Sequence, residues 1–223
     1  MIRKTVLSCI FLILLTTFYG FNANFSSSSM EEVDPQARSV SMCVISPYDA
    51  LIRAVSEREG NDWRLISAIA YHESRFTPDI VSHRGACVLM QIMPAVARQF
   101  DVASSEELFD PETNVLVANK ILNRIYSSLR LPAGIPEKDR MSIALACYNG
   151  GIGHIDDARR LARVNGENPN SWEVVLRYLE LKADPEFYES DVVRCGKFTG
   201  SAQTKAFVDD VMNRYDKYCS MVQ

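Results

Sequence analysis

The amino-acid sequence predicts a mainly α domain with one small irregular β element. Between residues 47 and 218, apolar residues recur with a helical period in most segments. Gly, Pro and Asn residues separate these segments, whereas residues 79–93 combine β-prone residues with Gly85 and show no helical period. The chain has 223 residues, of which 47% are apolar and 23% charged, so it can form one sizeable hydrophobic core.

Capping residues and periodicity predict the helices in order along the chain. The first covers residues 47–59, with a proline in its first turn and Gly60, a residue typical of helix ends, after it. Asp110 is a typical N-cap, and it opens a helix that extends to about residue 129. Further amphipathic helices are predicted at residues 94–100, 154–164, 172–181 and 206–218.

One predicted helix is apolar on all sides. It covers residues 141–148, and Asn149 with the two following glycines ends it. A helix with this composition is buried in the middle of a domain. We therefore expect its end to bring Tyr148 and Asn149 from the core to the surface of a cleft.

Another predicted helix, which begins at Asp62 and ends before Pro78, carries a carboxyl group on its apolar side. Glu73 follows Ile69 by four residues, so the two side chains lie on the same side of the helix. Desolvation and the negative end of the helix dipole would both raise the pKa of this carboxyl. A carboxylic acid that stays protonated near neutral pH can act as a general acid. The alternative is a Glu73 side chain that reaches water or pairs with Arg75 or Arg84.

The charge balance and the metal-binding residues exclude two classes of function. The net charge is −4 and Lys and Arg residues form no cluster, so we expect no nucleic-acid partner. Only three histidines are present and no two cysteines have C-x-x-C spacing, so we expect no metal site. Five cysteines follow Cys9, which allows at most two disulfides, and their spacing leaves the pairing open.

The N-terminus has the pattern of a secretory signal. A basic pair at residues 3–4 precedes an apolar run at residues 6–19, which is short for a membrane span. Export to the periplasm or cell envelope is therefore predicted. Because large residues lie near the candidate cleavage positions, an uncleaved membrane anchor is an alternative. A lipoprotein-like box at residues 6–9 makes a lipid-modified protein a third possibility. The predicted organisation is a signal peptide or anchor at 1–23, a polar linker at 24–44 and one domain at 45–223.

Three ordered blocks of sequence resemble a known family. They are HESRF at residues 72–76, S-x-x-GA-x-x-LMQIMP at 82–94, and A-x-A-x-YN-x-G at 144–151. Together they resemble the lytic transglycosylases with a goose-lysozyme-like catalytic domain, which act on bacterial peptidoglycan. GHIDDARRLA at residues 153–162 and NPNSW at 168–172 are most similar to the C-terminal module of the membrane-bound F type. The resemblance covers about residues 45–218 and implies an α+β lysozyme-like fold.

The resemblance also implies roles for individual residues. Glu73 would be the single catalytic acid and base. The substrate-binding residues would be Ser82 and Gln91 near the scissile bond, Met93 in the cleft wall, and Tyr148 and Asn149, which would hold the saccharide and orient the acid. Each also has a purely structural explanation, such as a turn residue for Ser82 or a helix cap for Asn149.

The implied reaction uses one carboxyl, whereas most glycosidases use two. The substrate would be the glycan strands of peptidoglycan, cleaved between N-acetylmuramic acid and N-acetylglucosamine with formation of a 1,6-anhydromuramic product. No cofactor is required, and we expect a monomer with possible membrane association through the N-terminus.

Two departures from the family pattern support an alternative. Val88 stands where the family usually has Gly before LMQ, and GKFTG at residues 196–200 replaces a G-Y-x-R-G stretch of the F type. They support the alternative of a protein that binds peptidoglycan without cleaving it. A hydrolytic muramidase of the same fold is a second alternative, which does not depend on these two departures.

Overall fold

The first two helices begin and end at residues whose local chemistry favours those boundaries, in a computed structural model that describes residues 44–77 and 89–222. α1 (Asp49–Glu59) is followed by Gly60, whose φ of 79° lies in the left-handed region that glycine adopts readily. α2 (Trp63–Ser74) follows Asp62, whose carboxylate accepts a hydrogen bond from the backbone N–H of Arg64 at 2.9 Å.

The remaining helices follow in chain order. α3 (Pro94–Ala97) continues into a 3-10 turn (Arg98–Phe100), and a second 3-10 turn (Glu106–Phe109) precedes α4 (Pro111–Leu129). The Asp110 side chain caps α4 by accepting from the backbone N–H of Thr113 at 2.9 Å, as the sequence predicted. The chain then forms α5 (Glu137–Gly150), α6 (Ile152–Val164), α7 (Trp172–Leu181), α8 (Pro185–Tyr188) and α9 (Ser201–Met221).

The predicted fold class is confirmed, but several boundaries were wrong. α5 begins at Glu137 rather than at residue 141, and α9 covers residues 201–221 rather than 206–218. Apolar periodicity marks only the buried turns, whereas the ends of these helices carry polar and charged residues. Glu137 and Asp139, in the first turn of α5, are favoured there by the helix dipole. The short helix α8 was not predicted.

α5 is the central helix of the domain. All seven residues from Met141 to Cys147 are buried, which confirms the prediction for this segment. α5 contacts α4, α6, α7 and α9. α9 packs against both α5 and α2, while α1 packs against α2 and α4. The end of α5 and the end of α2 are therefore both supported by the same helix, α9.

Several predictions fall on residues 1–43 and 78–88, outside the described residues. They are the signal or anchor, most of the linker, Ser82, Arg84, Val88 and most of the irregular β element; in the described part, Ile92 alone forms a β-bridge. Cys147, Cys195 and Cys219 are free thiols. Within residues 44–77 and 89–222, none of the helices is long and apolar enough to span a membrane.

Candidate active site

Glu73 lies in the last turn of α2, beyond the fully buried residues Ile66 and Ile69. It is half-buried, and burial raises the pKa of its carboxyl from the usual 4.5 to about 7. The raised pKa confirms the expectation from the apolar stripe, whereas the contribution of the helix dipole stays a prediction. A carboxyl with this pKa exchanges a proton readily near neutral pH.

Glu73 forms no ion pair with any residue that the structure describes. The guanidinium of Arg75 instead lies 4.3 Å from the ring centroid of Tyr71. Arg75 and Phe76 both have positive φ, 53° and 61°, so the chain leaves the helix in a strained turn directly after the carboxyl. Pairing of Glu73 with Arg75, one of the alternatives considered above, is therefore wrong.

Tyr148 reaches the same site from the end of α5. Burial, and after it the charge of Glu73, raise the pKa of the Tyr148 hydroxyl well above its usual value, so the two side chains interact. The hydroxyl donates to the backbone carbonyl of Met90 at 3.5 Å. Its ring lies parallel to that of Phe207 on α9, with the centroids 6.2 Å apart.

Gln91 and Met93 belong to a loop that is hydrogen-bonded to α4. Met90 is buried, and its backbone N–H donates to the side chain of Asn114, a buried residue of α4, at 2.8 Å. Gln91 has a φ of 47°, in the left-handed region. It is half-buried, whereas the residues on either side of it are buried. Met93 is 38% exposed, so it is not a residue of the hydrophobic core.

Asn149, the residue after Tyr148, also contacts α9. It is half-buried, and its Oδ1 accepts a hydrogen bond from the hydroxyl of Thr204 at 3.0 Å. Tyr148 and Asn149 thus come from one helix end, and both contact α9. Of the predicted site residues, Glu73 and Tyr148 are close enough for the charge of one to affect the pKa of the other. Gln91 and Met93 lie on the loop whose Met90 contacts Tyr148, and Ser82 is not among the described residues.

Sequence reasoning missed one polar pair next to the carboxyl. Nδ1 of His72 lies 2.7 Å from Oδ2 of Asp210 on α9, and the edge of its ring contacts Phe207 with the centroids 4.8 Å apart. His72 and Asp210 are 138 positions apart, so no local pattern could have indicated the contact. The pair fixes α2 to α9 directly before Glu73.

These features define the class of protein: a mainly helical, lysozyme-like domain with a half-buried carboxyl whose pKa suits acid–base chemistry. In the part of the chain that is described, no three metal-binding side chains cluster. The sequence matches the Transglycosylase SLT domain over residues 50–170. Because this match covers more than half of the chain, the protein belongs to that family.

Named relatives agree with this assignment. The membrane-bound lytic murein transglycosylase F of Alcanivorax borkumensis is 34% identical over 203 residues, which are 89% of this chain and 40% of that protein. The protein of the same name from Shewanella pealeana is 37% identical over 158 residues, which are 71% of this chain and 31% of the relative. The chain therefore spans less than half the length of these relatives.

Solved structures have the same fold. The lytic transglycosylase Slt from Pseudomonas aeruginosa, solved as an inactive mutant, superimposes with a TM-score of 0.51 at 22% identity, covering 79% of this chain and 26% of that one. The 70 kDa soluble lytic transglycosylase from Escherichia coli gives a TM-score of 0.50 at 24% identity, covering 77% and 24%. At these identities the likeness concerns the fold.

Proposed function

We propose that this protein is a peptidoglycan lytic transglycosylase that cleaves the β-1,4 bond between N-acetylmuramic acid and N-acetylglucosamine. The observation that carries the proposal is the Glu73 carboxyl, which has a pKa of about 7 because it is half-buried. Membership of the SLT family and the names of the relatives support the substrate class. Glu73 is the residue to which we assign the chemistry.

In the first step, the protonated Glu73 donates its proton to the glycosidic oxygen. The bond from this oxygen to C1 of the muramyl residue breaks, and the bonding electrons leave with the N-acetylglucosamine oxygen. The N-acetyl oxygen of the muramyl residue stabilises the positive charge that develops at C1. A desolvated carboxyl suits this step, because it remains protonated until substrate binds.

In the second step, the ionised Glu73 removes the proton of the muramyl C6 hydroxyl, whose oxygen attacks C1. A 1,6-anhydro ring forms, Glu73 recovers its proton, and no water is consumed. The attack is intramolecular, so it avoids the entropic cost of capturing a second molecule. This cycle requires one carboxyl, and the half-buried Glu73 can serve both as the protonated acid and as the ionised base.

The other site residues would bind and orient the glycan. We assign Gln91 and Ser82 to polar contacts near the scissile bond, and the exposed Met93 to the wall of the cleft. Tyr148, which interacts with Glu73, would orient the acid, and Asn149 would hold the saccharide.

We further propose that the domain of residues 45–223 acts as a monomer at the cell envelope. The basic and apolar residues of the N-terminus support export, and they also permit membrane association through this segment. The names of the membrane-bound relatives agree with an envelope location. Neither a nucleic acid nor a cofactor is part of the proposal.

The proposal predicts that Glu73→Gln abolishes product formation, because glutamine cannot donate or recover a proton. Purified peptidoglycan sacculi are digested with the full chain and with the variant, and the released muropeptides are identified by mass spectrometry. The wild type alone should release anhydro-muropeptides, each lighter by one water than the product of hydrolysis.

Three other results would contradict the proposal. Fully hydrated muropeptides would identify a muramidase of the same fold. Sacculi that bind both proteins and release nothing would identify a protein that binds peptidoglycan without cleaving it. Equal release of anhydro-muropeptides by both proteins would remove Glu73 from its role.

A further inference from the structure

The side chain of Asn149 is held by a residue that lies 55 positions further along the chain. Thr204, in the second turn of α9, is 1% exposed, and its hydroxyl donates to Oδ1 of Asn149 at 3.0 Å. We propose that Thr204 is a positioning residue that orients the Asn149 amide so that Nδ2 of Asn149 donates to an acceptor oxygen of the glycan. This inference rests on the proposed function, and it states that Asn149 is the donor in its hydrogen bond to the glycan.

The orientation follows from the hydrogen bonds that a side-chain amide can form. An Asn side chain has one acceptor oxygen and one NH₂ donor on opposite sides of the same carbon. Once Thr204 donates to the oxygen, the NH₂ group on the other side of the carbon remains to donate to another acceptor. No described side chain or backbone group accepts from this NH₂ group. A saccharide hydroxyl or N-acetyl oxygen has the complementary chemistry.

The contact depends on a close approach between two helices. Gly150 follows Asn149 at the end of α5, and a Cβ at this position would lie 2.9 Å from the Thr204 hydroxyl oxygen and 3.3 Å from the ring of Phe198. Any other residue would require the Thr204 side chain or one of the helices to shift. Glycine at position 150 therefore allows the Thr204 hydroxyl to reach the Asn149 amide.

Phe198 is itself fixed behind this contact. Its backbone N–H donates to the carbonyl of Lys182 at 3.1 Å, and its ring contacts His154 with the centroids 4.6 Å apart. The Lys182 ammonium, which is fully buried, lies 2.7 Å from the Asp157 carboxylate. The same carboxylate accepts from the backbone N–H groups of the two residues at 194–195, both at 2.8 Å. The segment that departs from the F-type pattern is thus rigidly supported.

Binding measurements test the inference without requiring turnover. The full chain with Glu73→Gln is the parent protein, and the probe is the tetrasaccharide of alternating N-acetylglucosamine and N-acetylmuramic acid. Isothermal titration calorimetry gives its dissociation constant for four added substitutions, Thr204→Val, Thr204→Ser, Asn149→Ala and Asn149→Asp, and for Thr204→Val combined with Asn149→Ala. Thermal unfolding of each variant shows that it is folded.

The expected pattern separates positioning from a general loss of structure. Thr204→Val should weaken binding about five-fold, the equivalent of one neutral hydrogen bond of about 1 kcal/mol, and Thr204→Ser should retain affinity within about two-fold. Thr204→Val should have no further effect when Asn149→Ala is already present, because the two residues act as one unit. Asn149→Asp keeps the acceptor for Thr204 and lacks the donor, so it should lose affinity like Asn149→Ala.

Several results would overturn the inference. An unchanged affinity of Thr204→Val, or an equal loss with and without Asn149→Ala, would show that Thr204 does not act through Asn149. Full affinity of Asn149→Asp would show that an acceptor faces the glycan. Absence of binding by the parent protein would also overturn it. Failure of the proposed function is a separate result, because the wild type would then bind the tetrasaccharide but release no anhydro product from sacculi.

Discussion

Burial of the Glu73 carboxyl lowers the stability of the fold at high pH. Its pKa is about 7 in the folded protein, against 4.5 in the unfolded chain. Folding therefore favours the protonated form. Stability from this group is complete below about pH 4.5 and falls as the pH rises through 7, because the unfolded chain releases its proton first.

Glu73→Gln should consequently stabilise the protein, relative to its effect at pH 4, as the pH rises from about 4.5 to 7 and above. The shift corresponds to a difference in the free energy of unfolding of about 3 kcal/mol at pH 8, and to none at pH 4. Urea denaturation of the wild type and the variant at pH 4, 6 and 8 measures this difference. A difference that stays constant across the three pH values would contradict the assigned pKa.

The sequence predicted Glu73 and Tyr148 because their positions follow from local periodicity and from the end of one apolar helix. It did not predict the tertiary contacts of the residues next to them in the chain, Asn149 and His72. Thr204 is 55 positions from Asn149, and Asp210 is 138 positions from His72. Both belong to α9, whose amphipathic pattern indicates a helix but does not indicate which of the other helices it contacts. Tertiary contacts of this kind require the packed structure.

The contact between α6, α7 and the segment before α9 depends on a buried charge pair. Asp157 and Lys182 are both 0% exposed, and the aspartate also accepts from the backbone of residues 194–195. In the sequence, Asp157 appears as one polar residue of an amphipathic helix. Its burial could not be predicted, because the partners come from α7 and from a segment without regular structure.

Lys182→Met should destabilise the protein by about 1.5–3 kcal/mol, because the buried Asp157 carboxylate loses its ammonium partner but keeps the Arg160 guanidinium and two backbone N–H donors. Lys205→Met is the matched control. It removes the partner of Asp209 from an ion pair whose side chains are both 49% exposed, so its effect should be much smaller than that of Lys182→Met. Chemical denaturation of the two variants checks the difference. Equal losses would show that the buried pair is not the support described here.

The described carboxyl groups together predict how the stability of the domain depends on pH. Burial by itself would raise the pKa of Asp157, but hydrogen bonds from Lys182 and from the backbone lower it to about 2. Hydrogen bonds to Thr113 likewise lower the pKa of Asp110. Groups with lowered pKa values stabilise the fold above about pH 4, and this stability is lost as the pH falls towards 2.

The free energy of unfolding should therefore have a maximum near pH 5. Below this pH the aspartates become protonated, and above it the ionisation of the buried Glu73 destabilises the fold. Urea denaturation of the wild type at pH 3, 5 and 8 should give the highest midpoint at pH 5. Stability that rises continuously from pH 5 to pH 8 would show that Glu73 does not dominate the alkaline side.

The position of α9 in the chain has a consequence for protein synthesis. The ribosome completes Glu73 and Tyr148 long before it adds residues 201–221, yet α9 supplies Thr204, Phe207 and Asp210 to the site. A nascent chain, or one ended early by a premature stop codon, would carry the acid without the helix that orients its neighbours. The candidate site is therefore expected to be complete only after α9 has been synthesised.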